Sequence, residues 1–316
     1  MDPLYYCSMP LERNSDLRQN NQWLDEQLAS DAGMVIATWA QMNLVRLTRD
    51  GPEPVYLTIS DAALILGNAD EVTYLGHDGS APIFSADLGK APETRVQEII
   101  HHAAPGCEMI NLRKVGTLLT PGQASILAYA RAMAFWHQQN GYCSRCGSNN
   151  HSARGGHMRV CDQCEQQTFP RIDPAVIMLV EQNNPDDGVC RCLLGRHGGL
   201  PNRMYSTLAG FVDPLENLEQ AVIREVFEEA GLRVNTPSYM GSQPWPFPAS
   251  MMLGFRATTD DRKIRIDTNE LEHADWFTAD QIREFVEVDG PADRFCLPPA
   301  DSIARLLINQ WLSENS

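Results

Sequence analysis

Glu225, Glu228 and Glu229 stand three and four positions apart in the stretch GFVDPLENLEQAVIREVFEEAGL, Gly210 to Leu232. On a helix that spacing gathers three carboxylates on one face, with Cβ atoms about 5–6 Å apart, and the like charges repel. Two readings fit. Either this is an ordinary acidic face in solvent, or divalent cations bind there and offset the repulsion. Mg²⁺ takes hard oxygen ligands together with water and substrate phosphates. A second cluster is built of sulfur. Cys143 and Cys146, then Cys161 and Cys164, form two C-x2-C pairs separated by 14 residues. Each pair makes a knuckle whose sulfurs converge on a tetrahedral ion, and a closed four-sulfur site favours structural Zn²⁺ over a catalytic metal. The segment is too short for an apolar core, so the ion would hold it folded.

The elements that carry these groups follow from periodicity and capping. Asn217 with Gln220 is a helix start, Val222, Val226 and Ala230 form an apolar stripe beside the carboxylates, and Gly231 is a stop. PAVIMLVEQ, RCLLGRH, MMLGFRATT and KIRID read as strands around that helix, and SIARLLINQWLSE as a closing helix. Upstream, Leu17, Leu24 and Leu28 have helical spacing, and MVIATWAQMNLVRLTRDGPEPVYLTIS reads as three short strands with turns at Asp50-Gly51 and the prolines. Thr120, Pro121 and Gln123 start a further helix, with Ile126, Leu127, Ala130, Met133 and Ala134 on its buried side. The fold class is α+β. The expected organisation is an N-terminal α+β domain over 1–140, a metal ribbon over 141–168, and a mixed α/β/α sandwich over 169–316.

Composition narrows the function. The chain has 316 residues, 43% of them hydrophobic, which excludes a disordered protein. It has no run of 18 apolar residues and no basic-then-apolar start, so neither a membrane span nor an export signal is expected, and a cytoplasmic setting is. Nine cysteines then read as reduced thiols and ligands. Cys7, Cys107, Cys190, Cys192 and Cys296 are read as packing residues. His77, His101 and His102 form no catalytic grouping. A net charge of −16 argues against coating long nucleic acid. It leaves open a local patch: Arg145, Arg154, Arg159, His151 and His157 contact phosphates or simply face solvent. In SQPWPFPAS, Ser242 to Ser250, three prolines alternate with Trp245 and Phe247. Such a stiff segment either stacks on a base or packs into the core.

Gly210, Glu216 and Arg224-Glu225-Val226-x-Glu228-Glu229-x-Gly231-Leu232 occupy every fixed position of the Nudix box, and the chain resembles the Nudix hydrolases. The SQPWPFPAS string and the upstream four-cysteine ribbon make 141–310 similar to the NADH pyrophosphatase family, whose members also remove NAD caps from RNA. That resemblance implies Mg²⁺ or Mn²⁺ held by Glu225, Glu229, Glu270 and the carbonyl of Ala209, with Glu228 a further ligand or water-organiser. Glu225 or Glu228 would take the proton. Glu216 and Arg224 would brace the loop. It implies Zn²⁺ on Cys143, Cys146, Cys161 and Cys164. Substrate contacts would come from Phe169, Phe211, Gln243, Pro244, Trp245, Pro246, Phe247, Pro248, Ala249, Ser250 and Ala304, with Arg113 a further candidate. The implied reaction is hydrolysis of NADH or NAD to nicotinamide mononucleotide and AMP, and of NAD caps on RNA, by a homodimer. Relatives carry glycine before the first box glutamate, and Leu215 there implies an altered turn. Two other readings stand: a Nudix enzyme for ADP-ribose or dinucleoside polyphosphates, and a non-catalytic nucleotide sensor.

Overall fold

Apolar residues on both faces of the central strands dictate sheets covered on both sides. A computed structural model describes residues 4–183, 187–198, 203–235, 237–291 and 293–315. The chain divides into two units: residues up to 171 together with 246–249, and residues 172–245 together with 250–316.

The first unit contains α1 (Asn21–Leu28), β1 (Met34–Trp39), β2 (Met42–Thr48), β3 (Gly51–Pro54), β4 (Leu57–Thr58), α2 (Ala63–Leu66), β5 (Glu71–His77), β6 (Pro82–Asp87), α3 (Glu93–Ala103), β7 (Cys107–Ile110), α4 (Leu112–Val115) and α5 (Pro121–Gln139). The sheet runs β3-β2-β1-β6-β5, with β4 on β1 and β7 on β2; β1 and β6 are parallel. Val35, Ala37, Leu44, Phe84 and Ala86 face α1 and α3 through Leu24, Val96 and Ile99. The alternate residues Ile36, Val45, Leu75 and Ile83 are buried too, and α5 packs on β1, β2 and β5.

Two sequence readings change here. The helix expected from Leu17 to Leu28 is broken at Asn20, whose side chain accepts from the Trp23 N–H and starts α1. The stretch read as three strands forms four. Its first turn, Ala40–Gln41, contains neither glycine nor asparagine, yet both residues have positive φ, 46° and 62°. That pair of angles is what a two-residue hairpin demands. The prolines sit inside β3, an edge strand where a missing donor is tolerated. The α5 start is as read, a full capping box on Thr120 and Gln123.

The same unit carries a three-stranded ribbon, β8 (Asn150–Ala153), β9 (Met158–Cys161) and β10 (Gln167–Thr168). Two of its basic residues turn inward. His157 Nε2 lies 2.7 Å from the Tyr74 carbonyl, and Arg159 pairs with Glu71 at 3.0 Å. They anchor the ribbon to β5 and are not available to phosphates. Gly156, at φ 88°, allows the close approach: a Cβ there would lie 2.6 Å from Thr73 Oγ1.

The second unit holds β11 (Asp173–Asn183), β12 (Cys190–His197), β13 (Leu208–Phe211), α6 (Leu218–Ala230), β14 (Ser238–Trp245), β15 (Ser250–Thr258), β16 (Leu271–Thr278), α7 (Ala279–Arg283) and α8 (Ile303–Glu314). Its sheet runs β14-β15-β11-β12-β16, with β13 on β11; β11 and β15 are parallel and the other pairs antiparallel. Val176, Met178 and Val180 of β11 pack with Val222, Val226 and Ala230 of α6. On the other side, α8 packs on β11, β14 and β15. This is the mixed α/β/α sandwich.

KIRID is not a strand. Ile264 and Ile266 are half-buried and alternate with exposed residues, as an edge strand would. The partner, however, is a helix end: the Arg265 and Asp267 N–H groups donate to the carbonyls of Ala230 and Glu229, at 2.8 and 3.1 Å. Those are among the last α6 carbonyls, which have no acceptor role inside the helix.

His137 of α5 lies 3% exposed between β5 and the ribbon, and burial, reinforced by the Arg159 charge, pushes its pKa down from 6.5 to about 3. The folded state therefore refuses a proton that the unfolded chain accepts below pH 6.5. This stabilisation is complete above the unfolded value and is lost as pH falls toward the folded one. Melting temperature should drop from pH 7 to pH ~4, and His137→Gln should flatten that slope relative to wild type.

Candidate active site

The box glutamates do not all go to one place. Glu225 and Glu229 of α6 converge with Glu270, and one oxygen from each lies within 4.8 Å of the others. Glu225 is 8% exposed and Glu229 2%. Glu270 arrives because the 265–267 backbone is tied to the end of α6 and then turns, with the Leu271 N–H donating to Asp267 at 2.9 Å. Glu228 stays outside this cluster. Its side chain is half in solvent and accepts from Arg224 Nη1 at 2.9 Å.

Arg224 does more than brace the loop. Its Nε and Nη2 grip both oxygens of Glu216 at 2.7 and 2.9 Å, and Nη2 also donates to the Phe211 carbonyl at 2.9 Å. Its Nη1 reaches Glu225 at 2.8 Å as well as Glu228. One guanidinium thus neutralises part of the acidic face. Glu216 is correspondingly held below the usual carboxylate range by Arg224. The family resemblance implied the Glu216 pair; the bridge to Glu225 and Glu228 is visible only in the fold.

Arg224 does not reach Glu229, and the deepest charge is left uncompensated. Burial first, then the charges of Glu225 and Glu270, push Glu229 up to about 8, against a backbone hydrogen bond from Ala209. Burial also raises Glu225. Glu229 Oε2 is buried without a hydrogen-bond partner among the described residues. Buried polar atoms are seldom left so. An all-oxygen donor set with an orphaned buried carboxylate oxygen fits a hard divalent cation.

Gly210 makes room for this arrangement. It lies on β13, and a Cβ built there would overlap the Glu225 carboxyl group. Leu215 takes the place where glycine was expected. It adopts the left-handed backbone itself, φ 70°, with its side chain fully in solvent. The turn is thus kept in the conformation glycine favours, at the cost of strain.

The other predicted contacts fall into two groups. In the second unit, Phe211 is 60% exposed, whereas Ala304 is 4% exposed and Gln243 fully buried. Gln243 donates to the Asp301 carbonyl and accepts from the Ile303 N–H at 2.8 Å, tying β14 to the start of α8 beside Ala304. Its side chain holds the scaffold. Pro244 is exposed, and Trp245 and Ser250 are half-buried. In the first unit lie Phe169, 52% exposed, and the turn from Pro246 through Phe247 and Pro248 to Ala249.

The four cysteines also converge there. Cys143 and Cys164 sulfurs are 3.6 Å apart, Cys146 and Cys161 3.4 Å, and Cys146 and Cys164 3.5 Å. A tetrahedral zinc with bonds of about 2.3 Å spaces its sulfurs by about 3.8 Å. Backbone N–H groups of Arg145 and Cys164 point at Cys143 and Cys161 sulfurs, both at 3.4 Å. The donors fit zinc.

Two outcomes test this geometry. Mn²⁺ should raise the melting temperature of wild type, and Gly210→Ala, which alters no charge, should abolish that rise by displacing Glu225. Leu215→Gly should relieve left-handed strain and raise stability by roughly 1 kcal/mol in chemical denaturation.

Three family models match: a NUDIX domain over 171–295, an NADH pyrophosphatase zinc ribbon domain over 138–169, and an NADH pyrophosphatase-like rudimentary NUDIX domain over 21–136. The chain is similar to the NAD-capped RNA hydrolase NUDT12 of Macaca fascicularis, at 40% identity over 201 residues, 61% of this chain and 42% of that protein. It therefore spans less than half the length of that relative. It is also similar to the NAD-capped RNA hydrolase NudC of Mycobacterium bovis, at 38% identity over 294 residues, 90% of this chain and 91% of that protein. Matched along nearly its whole length, with the box, the ribbon and the N-terminal domain each accounted for, the chain belongs to the NADH pyrophosphatase family of Nudix proteins.

Proposed function

We propose that this protein hydrolyses the pyrophosphate bond of NADH and NAD to AMP and nicotinamide mononucleotide, and removes NAD caps from RNA. The observation that carries this is the convergence of Glu225, Glu229 and Glu270 with a buried, partnerless Glu229 oxygen. Mg²⁺ or Mn²⁺ bound there would neutralise phosphoryl charge and acidify a water. Glu225, Glu229 and Glu270 would hold that ion. Ala209 fixes Glu229 through its backbone, and Arg224 fixes Glu225. Glu228 lies half-exposed outside the cluster with its carboxylate paired to Arg224, and it or Glu225 would accept the water's proton. The exposed ring of Phe211 offers a stacking face, worth about 1–3 kcal/mol per base. The proline string, in a chain similar to two NAD-capped RNA hydrolases, supports the dinucleotide substrate over ADP-ribose.

The four thiols are assigned to structural Zn²⁺. The domain reading of 1–140, 141–168 and 169–316, a homodimeric assembly and a cytoplasmic setting belong to the same proposal. Among the described residues no helix is long and apolar enough to cross a membrane.

Turnover of NADH and of NAD-capped RNA with Mn²⁺ should give the mononucleotide and a 5′-monophosphate. Glu229→Gln should lower kcat by ~10²-fold or more while the chain stays folded. Undiminished turnover in that variant would defeat the assignment.

A further inference from the structure

Arg13, Arg18 and Arg154, all in the first unit, pair with no acid among the described residues. Arg13 lies over the ring of Tyr129 on α5, with its Cζ 4.5 Å from the centroid. Arg18 is half-buried, and its Nε and Nη2 are buried without a hydrogen-bond partner among the described residues. Arg154 is exposed in the turn between β8 and β9 and has a left-handed backbone, φ 52°. The three are drawn together around His157. Its ring centroid is 6.1 Å from that of Tyr129, and its N–H donates to the Arg154 carbonyl at 3.1 Å. Burial first, then the charges of Arg18 and Arg13, push His157 down to about 4, against its hydrogen bond to the Tyr74 carbonyl.

A cleft of about 500 Å³ runs between α1 and the ribbon. Arg154 and Gln19, the neighbour of Arg18 in the chain, stand in its walls, and Leu24, Leu28 and Val72 give it an apolar lining. Asp25 and Glu71 line it as well; Glu71 is paired with Arg159, whereas Asp25 is exposed. Nε and Nη2 form the side of a guanidinium that meets two oxygens of one phosphate. Leaving such donors buried without an acceptor is costly. Glycine would hold the Arg154 turn without strain, and two glycines follow it. Contacts within the chain account for neither arginine.

We propose that this cleft binds a ribonucleotide, with its phosphate on the arginines, its base against the apolar lining, and Asp25 as acceptor for a ribose hydroxyl or a base amine. The site lies wholly in the first unit and does not depend on the reaction assigned above.

Calorimetric titration of the full chain tests it, with the ribbon metal left in place and no added Mg²⁺ or Mn²⁺. AMP should bind, and adenosine, which has no phosphate, about tenfold more weakly. Arg18→Met and Arg154→Gly should each weaken AMP about tenfold, while Phe211→Ala, in the second unit, stays within about twofold of wild type. If Arg18→Met does not fold, Arg154→Gly, which gives a left-handed position the residue it favours, still decides. Displacement of AMP by a 5′-hydroxyl RNA hexamer identifies an RNA chain as the source of the nucleotide; a hexamer that leaves AMP in place identifies a free mononucleotide. Absence of AMP binding, equal affinity for adenosine, unchanged affinity in either arginine variant, or a loss in Phe211→Ala overturns the proposal.

Discussion

Two carboxylates nearly sealed from water, aimed at a third, set the terms for the second unit. Burial alone disfavours an ionised Glu229, and its neighbours make it worse. A fold designed only for stability would have turned α6 so that these acids faced solvent. Instead, Val222, Val226 and Ala230 are sunk against β11, and the helix rotation that buries them also presses Glu225 and Glu229 inward. Gly210 removes the one Cβ that would prevent it. Arg224 relieves the outer half of the charge and leaves the inner half for a cation.

Much of this was written in the sequence because the relevant rules are local. Caps at Thr120 and Asn217 and the stop at Gly231 depend on residues within three or four positions of each other. The box glutamates and paired cysteines are equally local. Failures came where the partner was distant. The 263–267 segment has a strand's alternation, but its N–H groups meet helix carbonyls more than thirty residues earlier. Ala40–Gln41 has no turn chemistry of its own; Arg131, 90 residues away, holds it. For Gln243, implied by the resemblance as a substrate contact, nothing nearby in the sequence shows that its amide meets Asp301 and Ile303.

The ribbon illustrates the same limit in charge. Arginines and histidines between cysteine knuckles have the composition of a phosphate-binding face. Only the fold shows that Arg159 meets the half-buried Glu71 and that His157 caps a β5 carbonyl. His151 is likewise engaged, 2.6 Å from Asp162. Composition counts charges; it does not say which have been claimed within the protein.

The path of the chain at the proline string has a consequence for modularity. After β14 the backbone leaves the second unit for four residues, 246–249, and then returns as β15. No single cut separates the units cleanly. A fragment cut from 172 onward would carry Phe247 without Tyr6, Arg113 and Arg131, which meet its ring. Recombination that keeps only the residues from 172 onward would therefore strip that ring of those neighbours.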